Sequence, residues 1–300
     1  MVHIENLCKQ FGDVHALTNI HLHIKPNQLF GLIGPDGAGK STLFDILATL
    51  QRPSSGKATV NGFDIQTKAN QVRKRIGFMP GQFSLYPDLS ILENIQFFSS
   101  VYGVAFDESS PLLRDIWQQI APFKHRPAGK LSGGMKQKLA LCCALAHKPT
   151  VLLLDEPTTG VDPVSRKEFW QMLQTLKSYN ITTMVSTPYM DEAKLCECIA
   201  LIQNGKLLAV DAPEAIVAKF NRNLFGVQST HSNALLKPLR EFKKTRHCFA
   251  FGKILHLTLK DFSTTENDVV EFLKTHGHEN VHVWRMQPEI EDCFIEWMQP

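Results

Sequence analysis

Two short segments carry residues whose types and spacing could do chemistry. Gly34, Pro35, Asp36, Gly37, Ala38, Gly39, Lys40 and Ser41 fit the pattern G-x-x-x-x-G-K-[ST], and Thr42 follows. Glycines at such spacing let the backbone wrap closely around phosphates, and the amides at the start of the next helix point inward as an anion nest. Lys40 is expected to reach the β- and γ-phosphates of a nucleoside triphosphate, and Ser41 to offer its hydroxyl to Mg²⁺. Further on, Val151-Leu-Leu-Leu-Asp155-Glu156-Pro157 ends an apolar run on two carboxylates. Asp155 at the end of a buried strand can hold Mg²⁺ through its water shell. Glu156 beside it can polarise an attacking water as general base. The pairing of the two segments is what gives the second one weight.

These residues need a scaffold. Gln28 to Ile33 reads as a buried strand running into the Gly-rich turn, with a helix from about Gly39 to Leu50. Asn19 to Ile24 alternates apolar and polar residues, the period of a half-buried strand. Residues 151–155 read as a central parallel strand. Between about 87 and 148 the pattern is helical, with apolar stripes over 91–102, 111–120 and 134–146. A helix over 164–178, a strand over 181–186, a helix over 189–196 and strands over 199–203 and 206–210 complete a parallel α/β core. Near Asn221 the pattern changes. The remainder reads β-α-β-β-α-β with an extra helix, similar to a ferredoxin-like module. The expected division is therefore 1–221 and 222–300, the second part an accessory or regulatory domain without a phosphate loop.

The chain is 300 residues long, enough for one large or two modest domains, and its 43% hydrophobic and 20% charged residues suit a globular protein. A net charge of +3, with basic residues scattered, gives no reason to expect nucleic acid as a partner. No run approaches the ~20 apolar residues that cross a bilayer, and the first residues lack the pattern of a secretory signal. Seven cysteines without framework spacing point to reduced thiols.

A third segment decides among ATP-binding classes. Leu131-Ser132-Gly133-Gly134-Met135 resembles the signature string of the ABC (ATP-binding-cassette) ATPases, and Thr159-Gly-Val-Asp162-Pro163 resembles their D-loop. The resemblance covers residues 1 to about 220. It implies a P-loop cassette with a parallel core sheet, an antiparallel β subdomain and a helical subdomain. It also implies that Ser132, Gly133, Gly134 and Asp162 serve ATP held by a second cassette in a head-to-tail dimer. By the same resemblance Phe11 occupies the position that stacks on adenine, a residue equally at home in a core. Phe78-Met-Pro, the stretch from Phe83 to Asn94, Met190-Asp-Glu-Ala193 and Glu291-Asp-Cys-Phe-Ile295 look like ABC-2-type drug exporters. Asp36 and the string Lys130 to Lys138 look most like the first cassette of tandem-ATPase exporter subunits.

The resemblance thus implies ATP and Mg²⁺ as cofactors, an ABC-2-like membrane permease as partner, and a place on the inner face of the cell membrane, attached through that permease. Two departures stand out. Pro188 occupies the place of the family's switch histidine, removing a donor whose loss typically costs about 10²–10³ in rate. Gly81 takes the slot of the Q-loop glutamine and Gln82 comes next, so Gln82 either replaces that Mg²⁺ ligand or leaves the contact weakened. The favoured function is the ATP-hydrolysing subunit of an exporter. A weakly hydrolysing regulatory cassette in an asymmetric dimer, favoured by Pro188, and a non-transport ABC ATPase are the alternatives. Co-purification with a polytopic membrane protein separates the first from the others.

Overall fold

The computed structural model describes residues 1–298. Contacts divide the chain into two compact units, Met1–Pro213 and the residues from Glu214 onward. The division falls earlier than the boundary expected near Asn221. The reason is a helix at Pro213–Ala218 that the sequence reading passed over, whose Ile216 is buried and whose Ile216 carbonyl meets the Cys293 thiol at 3.7 Å.

The first unit opens with β1 (Val2–Phe11) and β2 (Val14–Ile24), an antiparallel hairpin registered Val2 to Ile24. Strand β3 (Leu29–Ile33) is buried along its whole length and leads into α1 (Lys40–Leu47). Next come β4 (Ser55–Val60), β5 (Phe63–Asp64), α2 (Ala69–Arg73) and β6 (Ile76–Met79). Helices α3 (Ile91–Val101), α4 (Pro111–Ile120) and α5 (Gly133–Leu145) form the expected helical region. They are followed by β7 (Val151–Asp155), α6 (Pro163–Leu176), β8 (Thr182–Thr187), β9 (Cys198–Gln203) and β10 (Lys206–Asp211). Residues 190–195 form a 3-10 turn where an α-helix was expected.

Two sheets result. One is antiparallel in the order β2-β1-β4-β5. The other runs β10-β9-β3-β8-β7-β6, parallel from β9 to β6 with β10 antiparallel at its edge. Strands β3, β7 and β8 are buried at every position, as expected for parallel strands covered on both faces. Strand β8 is nevertheless rich in hydroxyls (Thr182, Thr183, Ser186, Thr187). Buried hydroxyls need partners, and those near its end find them at the site described below.

The helical region is fixed by local chemistry. Ser90 and Glu93 form a reciprocal capping box that starts α3. Buried Asn94 then accepts the Tyr86 amide at 3.0 Å and donates to the carbonyls of Tyr86, Leu89 and Ser90. Helix α4 buries Leu113, Ile116, Trp117 and Ile120 on one stripe.

The second unit takes in all but the first residue of that helix, α7 (Pro213–Ala218), and continues with β11 (Asn223–Gln228), α8 (Leu236–Glu241), β12 (Thr245–Phe251), β13 (Ile254–Leu259), α9 (Glu266–Thr275), β14 (His282–Arg285) and α10 (Ile290–Met298). Its sheet is antiparallel in the order β12-β13-β11-β14. Phe225, Val227, Leu239, Cys248, Leu257 and Leu273 belong to its apolar core. Polar side chains of this unit meet α10: His256 reaches Asp292 at 2.8 Å, and Arg222, just before β11, and Arg246 of β12 hold Glu296 at 2.7 and 2.8 Å.

Candidate nucleotide site

The chain leaves β3 at Ile33, turns through residues 34–39 and enters α1 at Lys40. Gly39 begins the helix in the left-handed region, at φ 104° and ψ 5°, and no side chain caps the helix. A β-carbon at Gly39 would stand 2.6 Å from the Ala16 carbonyl oxygen, so only glycine fits both the backbone and the space. Gly34 is equally confined, with the Ile202 carbonyl 2.2 Å from where its β-carbon would be. The first amides of α1 are therefore presented without a side chain to occupy them, the requirement for an anion site.

Lys40 is buried at 3% exposure inside this turn. Its ammonium donates to the carbonyls of Gly34 at 2.8 Å and Pro35 at 2.9 Å, and pairs with Glu156 Oε1 at 3.0 Å. Three donors meet three acceptors, which is what keeps a charged lysine inside. Asp36 contributes little to it, being 91% exposed with its carboxylate 4.0 Å away. A cavity of about 550 Å³ opens over the turn, lined by Asp36, Gly37, Gly39, Lys40, Ser41, Thr42 and Glu156, with Val14 to Ala16 as a wall. That size suits a small-molecule ligand. Phe11 is 45% exposed, lies under the Lys9 ammonium at 4.6 Å and does not line this cavity. Val14 and His15, just past the hairpin turn, do.

The carboxylates sit as the strand reading expects. Asp155 ends β7, is buried, and accepts the Ser186 hydroxyl at 2.5 Å on Oδ1. Glu156 has a left-handed backbone, φ 48°, unusual for a residue with a side chain. Its amide donates to the Ser186 carbonyl at 3.1 Å and hydroxyl at 2.9 Å. Its carboxylate lies between Lys40 and the Thr159 hydroxyl, which donates at 3.2 Å. Ser186 thus arranges both acids, a residue the sequence reading missed. Its signal was a serine inside a wholly buried strand.

Gly81 and Gln82 lie in different surroundings. A β-carbon on Gly81 would lie 3.4 Å from Asp155 Oδ2, so the glycine, not Gln82, faces the carboxylate. Gln82 is exposed and lines a separate cavity of about 320 Å³ with Phe83, Phe98 and Gln137. Among the described residues no group of three or more His, Cys, Asp or Glu could hold a metal ion. Ser41 lines the cavity over the phosphate turn while Asp155 is buried beside Ser186, and two oxygen donors of this kind would leave most positions around a Mg²⁺ ion to phosphate oxygens and water.

Ser132, Gly133, Gly134 and Asp162 do not line the cavity over the phosphate turn. Ser132 starts α5, its hydroxyl accepting the Met135 amide at a long 3.4 Å. Gly134 lets α5 approach α6, since a β-carbon there would stand 2.5 Å from the Ser165 hydroxyl. Asp162 caps α6, accepting the amides of Val164 at 3.1 Å and Ser165 at 3.0 Å. These bonds, the Ser165 amide first, hold its carboxyl below the usual range.

Known proteins resemble this chain as follows. A family model described as ABC transporter matches residues 17–159. The chain is 37% identical to the probable multidrug ABC transporter ATP-binding protein YbhF of Escherichia coli (strain K12), over 99% of this chain and 52% of that protein. It therefore spans about half the length of that relative. Identity to the Nod factor export ATP-binding protein I of Burkholderia orbicola (strain AU 1054) is 34%, covering 72% of each chain. Among solved structures, the dimeric post-hydrolysis state of the ATP-binding cassette MJ0796 bound to ADP and Pi matches with a TM-score of 0.63 at 28% identity, over 71% of this chain and 98% of that one.

Proposed function

The chain belongs to the ABC transporter ATP-binding family, and from that premise we propose that it hydrolyses Mg-ATP to drive a separate, ABC-2-type membrane permease in export. Relatives named for multidrug transport and for Nod factor export support the export role. No helix among the described residues is long and apolar enough to cross a membrane, so in this reading the permease supplies the pore and holds the chain at the inner face.

The observation that carries the ATP reading is the ammonium of Lys40, held inside an uncapped helix start by two loop carbonyls and Glu156. Residues 34–42 would hold the triphosphate, whose oxygens exchange with those three acceptors. Ser41 and Asp155 would hold Mg²⁺. A bound Mg²⁺ supplies charge neutralisation on the phosphates. Glu156, released from Lys40 by that exchange, orients and polarises the attacking water. Ser132 to Gly134 and Asp162 would complete the site of a second cassette. The unit from Glu214 onward is assigned an accessory role. Lys40→Ala is expected to lower ATP affinity at least about 100-fold, as for a lost charge-assisted anchor. Calorimetry on a folded Lys40→Ala protein that retained wild-type affinity would refute the assignment.

Pro188 favours a second reading, an ATP-binding cassette that turns over slowly by itself. It directly follows Thr187 at the end of β8, where the family has a histidine, and proline offers no side-chain donor. In this reading Pro188→His raises single-turnover hydrolysis at high protein concentration by about tenfold, part of what one transition-state donor is worth. A wild-type rate of about 1–10 s⁻¹, ordinary for an enzyme and abolished by Glu156→Gln, excludes the slow-cassette reading.

A further inference from the structure

Asp191 and Glu192 look interchangeable in sequence, two acids at the start of the 3-10 turn Met190–Leu195. The fold separates them. Asp191 stays in solvent, 65% exposed, and meets Arg166 Nη2 at 2.8 Å. Glu192 is turned inward at 2% exposure. A carboxyl group buried that deeply needs partners for its oxygens, and it has them. The Thr158 hydroxyl donates to Oε1 at 2.9 Å, the Thr187 hydroxyl donates to Oε2 at 2.5 Å, and Arg166 Nε lies 3.4 Å from Oε1.

The partners come from elements that surround the reacting end of the site. Thr158 lies two residues after Glu156, in the turn that leaves β7. Thr187 ends β8 directly before Pro188, and its carbonyl accepts the Gly34 amide at 3.2 Å, at the root of the phosphate turn. Its hydroxyl also accepts the Tyr189 amide at 3.0 Å, so the chain is held on both sides of the proline. Arg166 belongs to α6 and lies 4.4 Å over the Tyr189 ring. One buried carboxylate therefore joins the turn carrying Glu156, the segment at Pro188, the base of the phosphate turn and α6. Glu156 itself sits in a sparsely populated backbone region, which persists only where the surroundings hold it. Ser186 holds its near side, and Glu192 holds the far side through Thr158.

We propose that Glu192 is a positioning residue for Glu156: its two threonine bonds clamp the turn after β7 to the end of β8, keeping Glu156 in place where no histidine stands at 188. The proposal rests on the hydrolytic reading above for its effect on rate, and on the geometry alone for its effect on the turn. Glu192→Gln keeps the shape but leaves one acceptor oxygen for two hydroxyls. Thr158→Val removes the tie to the Glu156 turn without touching Glu192, and serves if Glu192→Gln does not fold.

The test uses the full chain and three measurements: calorimetric Mg-ATP affinity, single-turnover hydrolysis at high protein concentration, and hydrogen exchange over residues 155–160. In Glu192→Gln the affinity stays within about twofold while the rate falls at least about tenfold, the cost of a misplaced catalytic group. Exchange over 155–160 speeds up by about tenfold as the turn opens locally. Thr158→Val reproduces both changes, and the double variant adds little, as expected of partners in one network. An unchanged rate and unchanged exchange in both folded variants overturn the proposal. So does a fall of affinity and rate in parallel with a general loss of melting temperature, which marks a merely structural role. A wild type without measurable hydrolysis refutes the hydrolytic reading instead. Exchange over 155–160 then decides the clamp: faster in the variants sustains it, equal to wild type overturns it.

Discussion

Helices α1 and α6 begin in opposite ways. Helix α1 starts on Gly39, which has no side chain to give, and its first residue is a buried lysine. Helix α6 starts on Asp162, which takes two of the helix's own amides, with Pro163 removing a third donor. Helix α5 lies between these extremes, its Ser132 hydroxyl accepting a single amide at 3.4 Å. All three starts lie within segments that the family resemblance ties to ATP. The difference teaches that unclaimed amides beside a seated cation offer an anion site within the chain itself, whereas a start that spends its amides on its own cap offers less to one.

The strongest way to break this comparison is Gly39→Ala. A side chain at φ 104°, 2.6 Å from a carbonyl, must displace backbone, and the expected loss is about 2–4 kcal/mol of stability. Because the displaced backbone is the cradle itself, ATP affinity should fall with it, at least about 100-fold, more than for a change at either other helix start. Denaturant titration together with calorimetry checks both, and normal binding by Gly39→Ala would remove the distinction between the helix starts.

A smaller effect sharpens the same contrast. Asp162→Ala should lower the melting temperature by about 2–4 °C, the loss of a helix cap, while the chain's own ATP affinity stays unchanged. Ser132→Ala should lower it less, since its bond is longer. The Asp162 effect carries a pH signature. Its folded pKa is depressed, so the stabilisation is fully present above the ordinary carboxylate value and is lost as pH falls through the folded one. The gap between wild type and Asp162→Ala should therefore hold from neutral pH to about pH 4 and close only below it. Melting curves across that range measure it.

Much of this was legible because the signals are local. Continuous apolar runs marked β3 and β7, helical stripes marked α3 to α5, and glycine spacing marked the turn before α1. What escaped depends on contacts across the chain. Strand β4 offers only Ala58 and Val60 as buried apolar residues, and its place comes from pairing with β1, Val2 to Val60. The roles of Ser186, Thr187, Thr158 and Glu192 arise from bonds such as the Gly34 amide on the Thr187 carbonyl and the Thr158 hydroxyl on Glu192, partners that no local window contains together. The Gln82 slot was ambiguous for a similar reason. Gly81 stands in the expected slot with Gln82 after it, and spacing along the chain does not show that Gly81 packs on Asp155 while Gln82 lines a separate cavity.

The order of strands in the large sheet also governs how the molecule can meet a second chain. Its two borders are poor templates for further pairing. Strand β6 has only four residues, and β10 starts on exposed Lys206 beside a turn where the Thr18 amide already occupies the Gly205 carbonyl at 2.8 Å. Short or obstructed borders of this kind guard against open-ended growth into fibres. In the proposed head-to-tail dimer, association would then fall to helix starts and turns, surfaces whose contacts can be made and released without unzipping a sheet.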